Sequence, residues 1–205
     1  TFGFTKEATI NCKVLDEQTI TIFTPKESFD VKINLLGKHN ISNILAACAC
    51  SYVLDIPINI MKKGIEAIKP FPGRLEIMDS SKGAIIINDS YNANPSSMRG
   101  AIDVLASMKG TKILVIGDMA ELGNNTNKYH QELGDYIKTS QIDFTLAVGR
   151  HTKITMQQLD KNGFWFDSKE ALLSKLLKII DSKSIILVKG SRFMRMEEVV
   201  SKIIL

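Results

Sequence analysis

Two hydrophobic periodicities divide the chain, and the first is the alternation of apolar and polar residues that is typical of β-strands. Residues Thr19–Phe23 are rich in β-branched and aromatic side chains, and residues 30–35 alternate. The pattern then becomes helical over residues 37–53 and again over residues 58–68. We therefore predict an all-strand segment up to about residue 36, followed by two helices.

A second pattern begins after an irregular stretch, in which Pro70, Pro72 and Gly73 interrupt regular structure. Beyond Gly83, short apolar runs alternate with helical segments. The runs cover residues 84–88, 112–117, 144–149, 163–167 and 184–189, and the helical segments cover residues 95–108, 127–140, 152–162, 168–181 and 191–204. This alternation predicts an α/β domain with a mainly parallel, doubly wound sheet. The predicted domains are residues 1–78 and 79–205.

Composition and charge restrict the possible function classes. The hydrophobic fraction of 44% and the charged fraction of 23% are those of a soluble globular protein. No apolar run reaches the roughly 18 residues that cross a bilayer, so we predict no membrane insertion and a cytoplasmic location. Scattered lysines make up the net charge of +4, which argues against a nucleic-acid partner. Cys48 and Cys50 point to different faces of a helix and cannot bridge, as expected in a reducing compartment.

Candidate binding residues follow the predicted strands, because open α/β sheets bind ligands at the carboxyl ends of their strands. Polar, glycine-punctuated segments occupy residues 89–95, 117–119, 149–151 and 189–192. Asp89 ends an apolar strand, where a carboxylate is costly unless it binds something. Asn94 precedes Pro95 and predicts a helix N-cap whose neighbouring N–H groups face an anion.

The last of these segments combines Lys189, Ser191 and Arg192 around Gly190. Two cations, a hydroxyl and the start of the predicted final helix suit a carboxylate or a phosphate. The glycine permits a close approach of the backbone. The sequence therefore predicts an anion site here, with Asn92 and Asn94 on the opposite wall.

Other kinds of site are not predicted. His39, His130 and His151 have no spacing that makes a metal site, and His130 is expected to face solvent on its helix. Neither a G-x-x-x-x-G-K-[ST] loop nor a G-x-G-x-x-G loop occurs in the chain. Any clamp for nucleotide phosphates must therefore come from outside it.

Four short motifs resemble those of the Mur ligases and of their folylpolyglutamate synthetase relatives. They lie at residues 36–43 (LGKHNISN), 72–76 (PGRLE) with 88–98 (NDSYNANPSSM), 117–123 (GDMAELG) and 189–197 (KGSRFMRME). The last three are most similar to those of the branch that adds D-alanyl-D-alanine. The order of the motifs along almost the whole chain makes a chance resemblance improbable.

The resemblance implies a fold, a reaction and a set of binding residues. It implies the C-terminal end of a P-loop ATPase domain followed by a Rossmann-like C-terminal domain. The implied ligase joins D-Ala-D-Ala to UDP-MurNAc-tripeptide through an acyl phosphate, with ATP and Mg²⁺. Its catalytic residues and metal ligands would lie upstream, in N-terminal and P-loop regions missing from this chain. The implied ATP-binding residues are Asn40 and Asn43 at the adenine and Arg74 and Asp89 at the ribose and phosphates; the expected substrate-binding residues are Tyr91, Asn92, Asn94, Lys189, Ser191 and Arg192.

Three interpretations of function remain open from the sequence. The first is the D-Ala-D-Ala-adding ligase, of which this chain alone would be an inactive part. The second is another Mur-type or folylpolyglutamate-synthetase-like ligase. The third is a non-catalytic module that binds a nucleotide or a peptide. The strand-like start at Thr1, without a methionine, predicts that the chain begins inside a longer protein.

Overall fold

The computed structural model describes residues 1–16, 18–159 and 161–204. Its backbone forms two compact units, of which the first ends at Pro70 and the second begins at Phe71. The sequence places the boundary further along, between residues 78 and 79, because the strand pattern of the second unit becomes clear only there. No helix of the described residues is both long enough and apolar enough to cross a membrane.

The first unit packs two helices against a four-stranded sheet. The strands are β1 (Phe2–Gly3), β2 (Ile10–Val14), β3 (Thr19–Phe23) and β4 (Ser28–Lys32), in that spatial order, and the helices are α1 (Lys38–Val53) and α2 (Ile58–Glu66). Strands β1 and β2 are parallel, and the remaining pairs are antiparallel. Strand β4 begins and ends earlier than the predicted residues 30–35, because its partner β3 begins at Thr19, opposite Lys32.

Alternation in the strands and periodicity in the helices give this unit its own core. Ile20 and Ile22 of β3 are fully buried, and Leu45 of α1 packs in the same cluster. Since alternate residues of a strand point to one face, the two isoleucines explain why β3 was predictable to the residue. Helix α2 is shorter than predicted and ends at Glu66.

The second unit is built on a six-stranded sheet, and the predicted α/β class with a mainly parallel sheet is confirmed. The strands are β5 (Glu76–Asp79), β6 (Ile85–Asp89), β7 (Thr111–Ile116), β8 (Phe144–Val148), β9 (Gly163–Phe166) and β10 (Ser184–Lys189), in the spatial order β5-β6-β10-β7-β8-β9. All neighbouring pairs are parallel except β5 with β6. Strand β5 was not predicted, because it is a short edge strand with only two apolar residues.

Helices cover this sheet, so its central strands are buried on both faces. The helices are α3 (Pro95–Ser107), α4 (Thr126–Thr139), α5 (Thr152–Met156), α6 (Lys169–Ile179) and α7 (Glu197–Ile204). All residues of β10 are buried, and the predicted apolar stripe of α7 packs on the sheet through Val199, Val200 and Ile203. An uninterrupted apolar strand is what burial on both faces requires.

Two predicted helices of the second unit differ most from the structure. Helix α5 ends at Met156, whereas the sequence pattern extends to residue 162. The predicted final helix over residues 191–204 is split: a short 3₁₀ turn covers Arg192–Met194, and α7 begins only at Glu197. Between them Arg195 adopts a left-handed conformation, with φ 49°, which no α-helix can contain.

Candidate functional site

The carboxyl ends of β6, β10 and β7 lie side by side and form the edge at which the sequence predicts ligand binding. In the strand register Lys189 lies opposite Asp89 on one side and Ile116 on the other. The loops that leave these strands therefore start next to one another. A Cβ on Gly190 would lie 3.2 Å from the Gly117 Cα, so the two loops approach each other closely at this glycine.

At the centre of this edge, Asp89 and Lys189 form a buried ion pair. The Lys189 Nζ lies 2.6 Å from the Asp89 Oδ2 and also donates to the Asn92 carbonyl oxygen at 2.8 Å. Lys189 is 2% exposed. Burial lowers the pKa of the Lys189 ammonium, while the charge of Asp89 acts in the opposite direction. Two residues that the sequence assigns to different ligands are thus partners of each other.

Asp89 also connects the sheet to the segment before β5. Its Oδ1 accepts a hydrogen bond of 3.2 Å from the backbone N–H of Leu75. The neighbouring Arg74 is exposed, and its guanidinium carbon lies 4.3 Å from the centre of the Tyr91 ring. Phe71 meets the same ring edge-on, with 5.8 Å between the ring centroids. The structure therefore brings the ATP-assigned Arg74 onto the substrate-assigned Tyr91.

Ser191 is buried and holds three loops together. Its Oγ donates to the Ala93 carbonyl oxygen at 3.1 Å and accepts from the Ala120 N–H at 2.7 Å, while its own N–H donates to the Asp118 carbonyl oxygen. A hydroxyl has one proton and two lone pairs, so these contacts use its proton and one of its acceptor positions. The hydroxyl of Ser191 is therefore directed into the protein.

The two asparagines expected to line the site are exposed but already make local hydrogen bonds. The Asn94 Oδ1 accepts from the Ser97 N–H at 2.8 Å, and the Ser97 Oγ accepts from the Asn94 N–H at 3.0 Å. This reciprocal pair is a capping box, so the predicted N-cap with proline at the first helical position is confirmed. The Asn92 Oδ1 accepts from the Ala93 N–H at 2.8 Å.

Arg192 lies at the exposed end of this group of residues. Its side chain is 65% exposed and forms a 2.8 Å ion pair with Glu197. The prediction that an α-helix begins directly after Gly190 is wrong, because α7 starts at Glu197 with two acidic residues in its first turn. Arg192 is thus a solvent-exposed charge without the helix N-terminus that the sequence suggested.

A buried cluster forms around Asp118, which the sequence places at this edge without assigning it a role. Asp118 is 4% exposed, and its Oδ1 accepts from the N–H groups of His151 at 3.0 Å and Thr152 at 2.7 Å. A Cβ on Gly149 would collide with this carboxylate. The aspartate therefore ties the loop after β7 to the loop after β8.

The expectation that His130 faces solvent is wrong, since its exposed fraction is 0%. Its Nε2 lies 3.3 Å from the Met119 N–H, and its Nδ1 lies 3.2 Å from the Thr155 Oγ. Burial lowers the pKa of His130, and the nearby Asp118 opposes the shift. The signal was available in the sequence: His130 precedes Leu133 and Ile137, both buried on α4, at helical spacing.

The two remaining predicted residues lie on α1 of the first unit. Asn40 and Asn43 are three residues apart and so share one side of the helix. The Asn40 Nδ2 donates to the Leu36 carbonyl oxygen at 2.7 Å, and Asn43 is exposed. Their assignment to adenine stays a prediction.

Known proteins share both units of this chain. Residues 73–192 match the family described as "Mur ligase, glutamate ligase domain", and residues 1–51 match the "Mur ligase middle domain". The UDP-N-acetylmuramoyl-tripeptide–D-alanyl-D-alanine ligase of Escherichia coli (strain K12) is 41% identical over 182 residues, which are 88% of this chain and 40% of that protein. The ligase of the same name from Bacillus subtilis (strain 168) is 35% identical, over 84% of this chain and 39% of that protein.

Solved structures give the same result. A crystal structure of MurF from Acinetobacter baumannii matches with a TM-score of 0.88 and 29% identity, over 98% of this chain and 45% of that one. The chain thus spans about two fifths of the length of the curated relatives it matches. The glutamate ligase domain match includes Arg74, Asp89 and Lys189, the charged residues that meet at the strand edge. By its sequence, its motifs and its fold, this chain belongs to the Mur ligase family.

Proposed function

We propose that this chain forms part of an ATP-dependent ligase that joins D-Ala-D-Ala to UDP-MurNAc-tripeptide in the cytoplasmic synthesis of peptidoglycan precursors. The first unit would be the end of the ATPase domain and the second its C-terminal domain. Two findings that agree carry the proposal. The D-S-Y-N-A-N-P and K-G-S-R strings resemble those of the D-Ala-D-Ala-adding branch, and the chain is 41% identical to a UDP-N-acetylmuramoyl-tripeptide–D-alanyl-D-alanine ligase. Both strings lie at the strand edge that holds Asp89 and Lys189.

The proposed reaction is amide formation through an acyl phosphate. The terminal carboxylate of the tripeptide attacks the γ-phosphorus of ATP, and ADP leaves. The free amine of D-Ala-D-Ala then attacks the acyl carbon, loses a proton, and expels inorganic phosphate from the tetrahedral intermediate. Both steps bring anionic reactants together, so fixed cations are the main contribution that a protein can make.

The residues proposed to bind the nucleotide are Asn40, Asn43, Arg74 and Asp89. Asn40 and Asn43 are proposed to bind adenine through their amides, which offer paired donors and acceptors. Arg74 is proposed to bind phosphate, since its guanidinium is exposed and no ion pair involves it among the described residues. Asp89 keeps acceptor capacity for a ribose hydroxyl beside its two internal contacts, because a carboxylate has about four acceptor positions. A solved MurF from Thermotoga maritima is a complex with ADP.

The carboxylate of D-Ala-D-Ala is proposed to bind at the end of β10. Of the three residues first assigned to it, Lys189 and Ser191 are buried and bonded internally. Arg192 is the member of this set that a ligand can reach, and its exposed pair with Glu197 costs little to exchange. Asn92 and Asn94 are exposed at the same edge and would line the site.

Mg²⁺ is proposed to be held by residues outside this chain. Within residues 1–16, 18–159 and 161–204, no three His, Cys, Asp or Glu side chains gather as a metal site would require. The metal ligands, like the main catalytic residues, are expected in the N-terminal and P-loop regions of the same protein.

A ligation assay tests the proposed function. The complete protein that carries this chain is incubated with ATP, UDP-MurNAc-tripeptide and an amine, and phosphate release and the peptide product are followed. Release should require all three and should be fastest with D-Ala-D-Ala. Turnover with a single amino acid or with glutamate instead would identify another Mur-type ligase. Tight binding of ATP or D-Ala-D-Ala in calorimetry without any turnover would support a binding module.

A further inference from the structure

Hydrogen bonds within the second unit fix the backbone on both sides of Arg74. The Gly73 N–H donates to the Glu76 Oε2 at 3.0 Å, and the Leu75 N–H donates to the Asp89 Oδ1 at 3.2 Å. Leu75 has φ 49°, a left-handed conformation that a leucine adopts only where its surroundings impose it. A strained residue held by a buried carboxylate is a sign that the position of its neighbour Arg74 is determined by the fold.

Tyr91 contacts this segment through both its backbone and its ring. The Tyr91 N–H donates to the Gly73 carbonyl oxygen at 3.0 Å. Gly73 has φ +74°, and a Cβ there would lie 3.3 Å from the Tyr91 nitrogen, so a side chain at residue 73 would be strained. The ring lies 4.3 Å from the Arg74 guanidinium carbon. Contact between a guanidinium and an aromatic face is favourable, and it also restricts the rotamers of a long side chain.

The charges around Arg74 leave it available to an anion. The nearest buried carboxylate, Asp89, is already paired with Lys189 at 2.6 Å. The positive charge of Arg74 contributes to the lowered pKa of Lys189, after the larger effect of burial, so its field reaches the pair. Glu76, the other carboxylate of this segment, accepts from the Gly73 N–H and from the Asn88 side-chain amide. Among the described residues no salt bridge involves the Arg74 guanidinium, so a phosphate that approaches its exposed face would meet that positive charge.

We infer that Tyr91 is a positioning residue, which holds the guanidinium of Arg74 ready for the phosphates of the nucleotide, and that it does not contact the dipeptide. The inference rests on the proposed function, from which the nucleotide is taken. It reassigns Tyr91, which the sequence placed among the residues that bind the substrate. If Arg74 is held in one orientation before binding, its side chain loses less conformational entropy when the nucleotide binds.

A first experiment tests the contact without any ligand. In the 205-residue chain, the NMR resonance of the Arg74 Nε–H is expected to show the ring-current shift of a proton above an aromatic face. Tyr91→Leu should remove that shift, and Tyr91→Phe should keep it. Thermal unfolding of each variant checks that the fold is intact, which is expected because Tyr91 is 40% exposed. An Arg74 resonance that does not respond to Tyr91→Leu would overturn the inference.

A second experiment measures Michaelis constants in the complete ligase. Tyr91→Leu should raise the KM for ATP about fivefold, the value of one exposed cation–π contact, and leave the KM for D-Ala-D-Ala unchanged. Tyr91→Phe should restore the KM for ATP. Tyr136→Leu is the matched control, since it removes the contact of Arg99 with a ring on α4, at 5.5 Å, and should leave the KM for ATP unchanged.

The outcomes separate the inference from the function on which it rests. A KM that rises for D-Ala-D-Ala instead of ATP would place Tyr91 in the peptide site and overturn the inference. An unchanged KM for ATP in Tyr91→Leu, beside a raised one in Arg74→Gln, would also overturn it. If no amine supports ATP-dependent ligation, the proposed function fails, and so does the inference that Arg74 is held for nucleotide phosphates. The Arg74 resonance still shows whether Tyr91 holds the arginine.

Discussion

Single residues at the strand edge are more tightly bonded to the protein than their sequence pattern indicates. Asp89, Lys189 and Ser191 look like ligand groups because charged and hydroxyl side chains follow apolar strands. Their location at the carboxyl ends of the strands was predictable from the sequence. Their partners were not, since Lys189 lies a hundred residues from Asp89 in the chain. The structure makes the first two into a buried pair, and this changes what a substitution should do.

Lys189→Met is expected to destabilise the second unit by about 3–5 kcal/mol, because it leaves the carboxylate of Asp89 buried without a partner. The double variant Lys189→Met with Asp89→Leu should recover much of that loss. Urea unfolding gives both free energies. Lys26→Met, at the exposed pair with Asp55, is the control and should cost less than about 1 kcal/mol. Equal effects of the two single substitutions would contradict a buried pair at Lys189.

His130 should make the stability of the second unit depend on pH. Burial lowers its pKa in the folded protein below the ordinary histidine value of about 6.5, so the unfolded chain binds the proton first as the pH falls. The contribution to stability is complete above about pH 6.5 and is lost below it, by up to about 1.4 kcal/mol per pH unit. Asp118 opposes this shift and His151 adds to it. Urea unfolding at about pH 7.5 and pH 5.5 measures the loss, and His130→Gln should reduce it.

At the scale of elements, helix ends decide how the site is presented. Helix α3 begins with a capping box at Asn94, which the sequence predicts from the Asn-Pro pair. Helix α7 begins later than its hydrophobic stripe indicates, because Met196 packs in the same cluster from outside the helix. Periodicity records which residues are buried, and it does not by itself record where helical hydrogen bonding starts.

Asn94→Ala is expected to destabilise the second unit by about 1 kcal/mol through loss of the N-cap, and Asn94→Ser should lose far less, since serine also caps helices. Chemical unfolding measures both. The same pair of variants decides the proposed binding role in the complete ligase. If Asn94 only caps α3, serine restores the KM for D-Ala-D-Ala as well. A KM that stays raised in Asn94→Ser would show a contact with the substrate.

At the scale of the whole molecule, we propose that the chain supplies only part of a ligase site. Residues 1–51 match the Mur ligase middle domain, residues 73–192 match the glutamate ligase domain, and the chain spans 40% of the Escherichia coli relative. We expect the 205-residue chain by itself to hydrolyse no ATP, because its sequence has no loop that cradles the β- and γ-phosphates. Phosphate release is compared with that of a mock purification. Steady release above that level, abolished by Arg74→Gln, would contradict the expectation.

The sequence by itself determined the order of the elements, the α/β class and the edge of the sheet at which polar residues collect. These features depend on local periodicity and on the rule that parallel strands end at one edge, so neighbouring residues contain the necessary information. The edge strand β5 was missed because its local signal was weak. The burial of His130 was missed because its helical spacing from Leu133 and Ile137 was not followed.

Only the tertiary structure decided which polar groups are free and which are bonded to the protein. The Asp89–Lys189 pair, the internal hydrogen bonds of Ser191 and the contact of Arg74 with Tyr91 all join residues from different strands or loops. Such contacts depend on strand order and register, which place β10 between β6 and β7 although it is the last strand in the chain. Hydrogen bonds and ion pairs act over a few ångströms, so no pattern along the sequence could specify them.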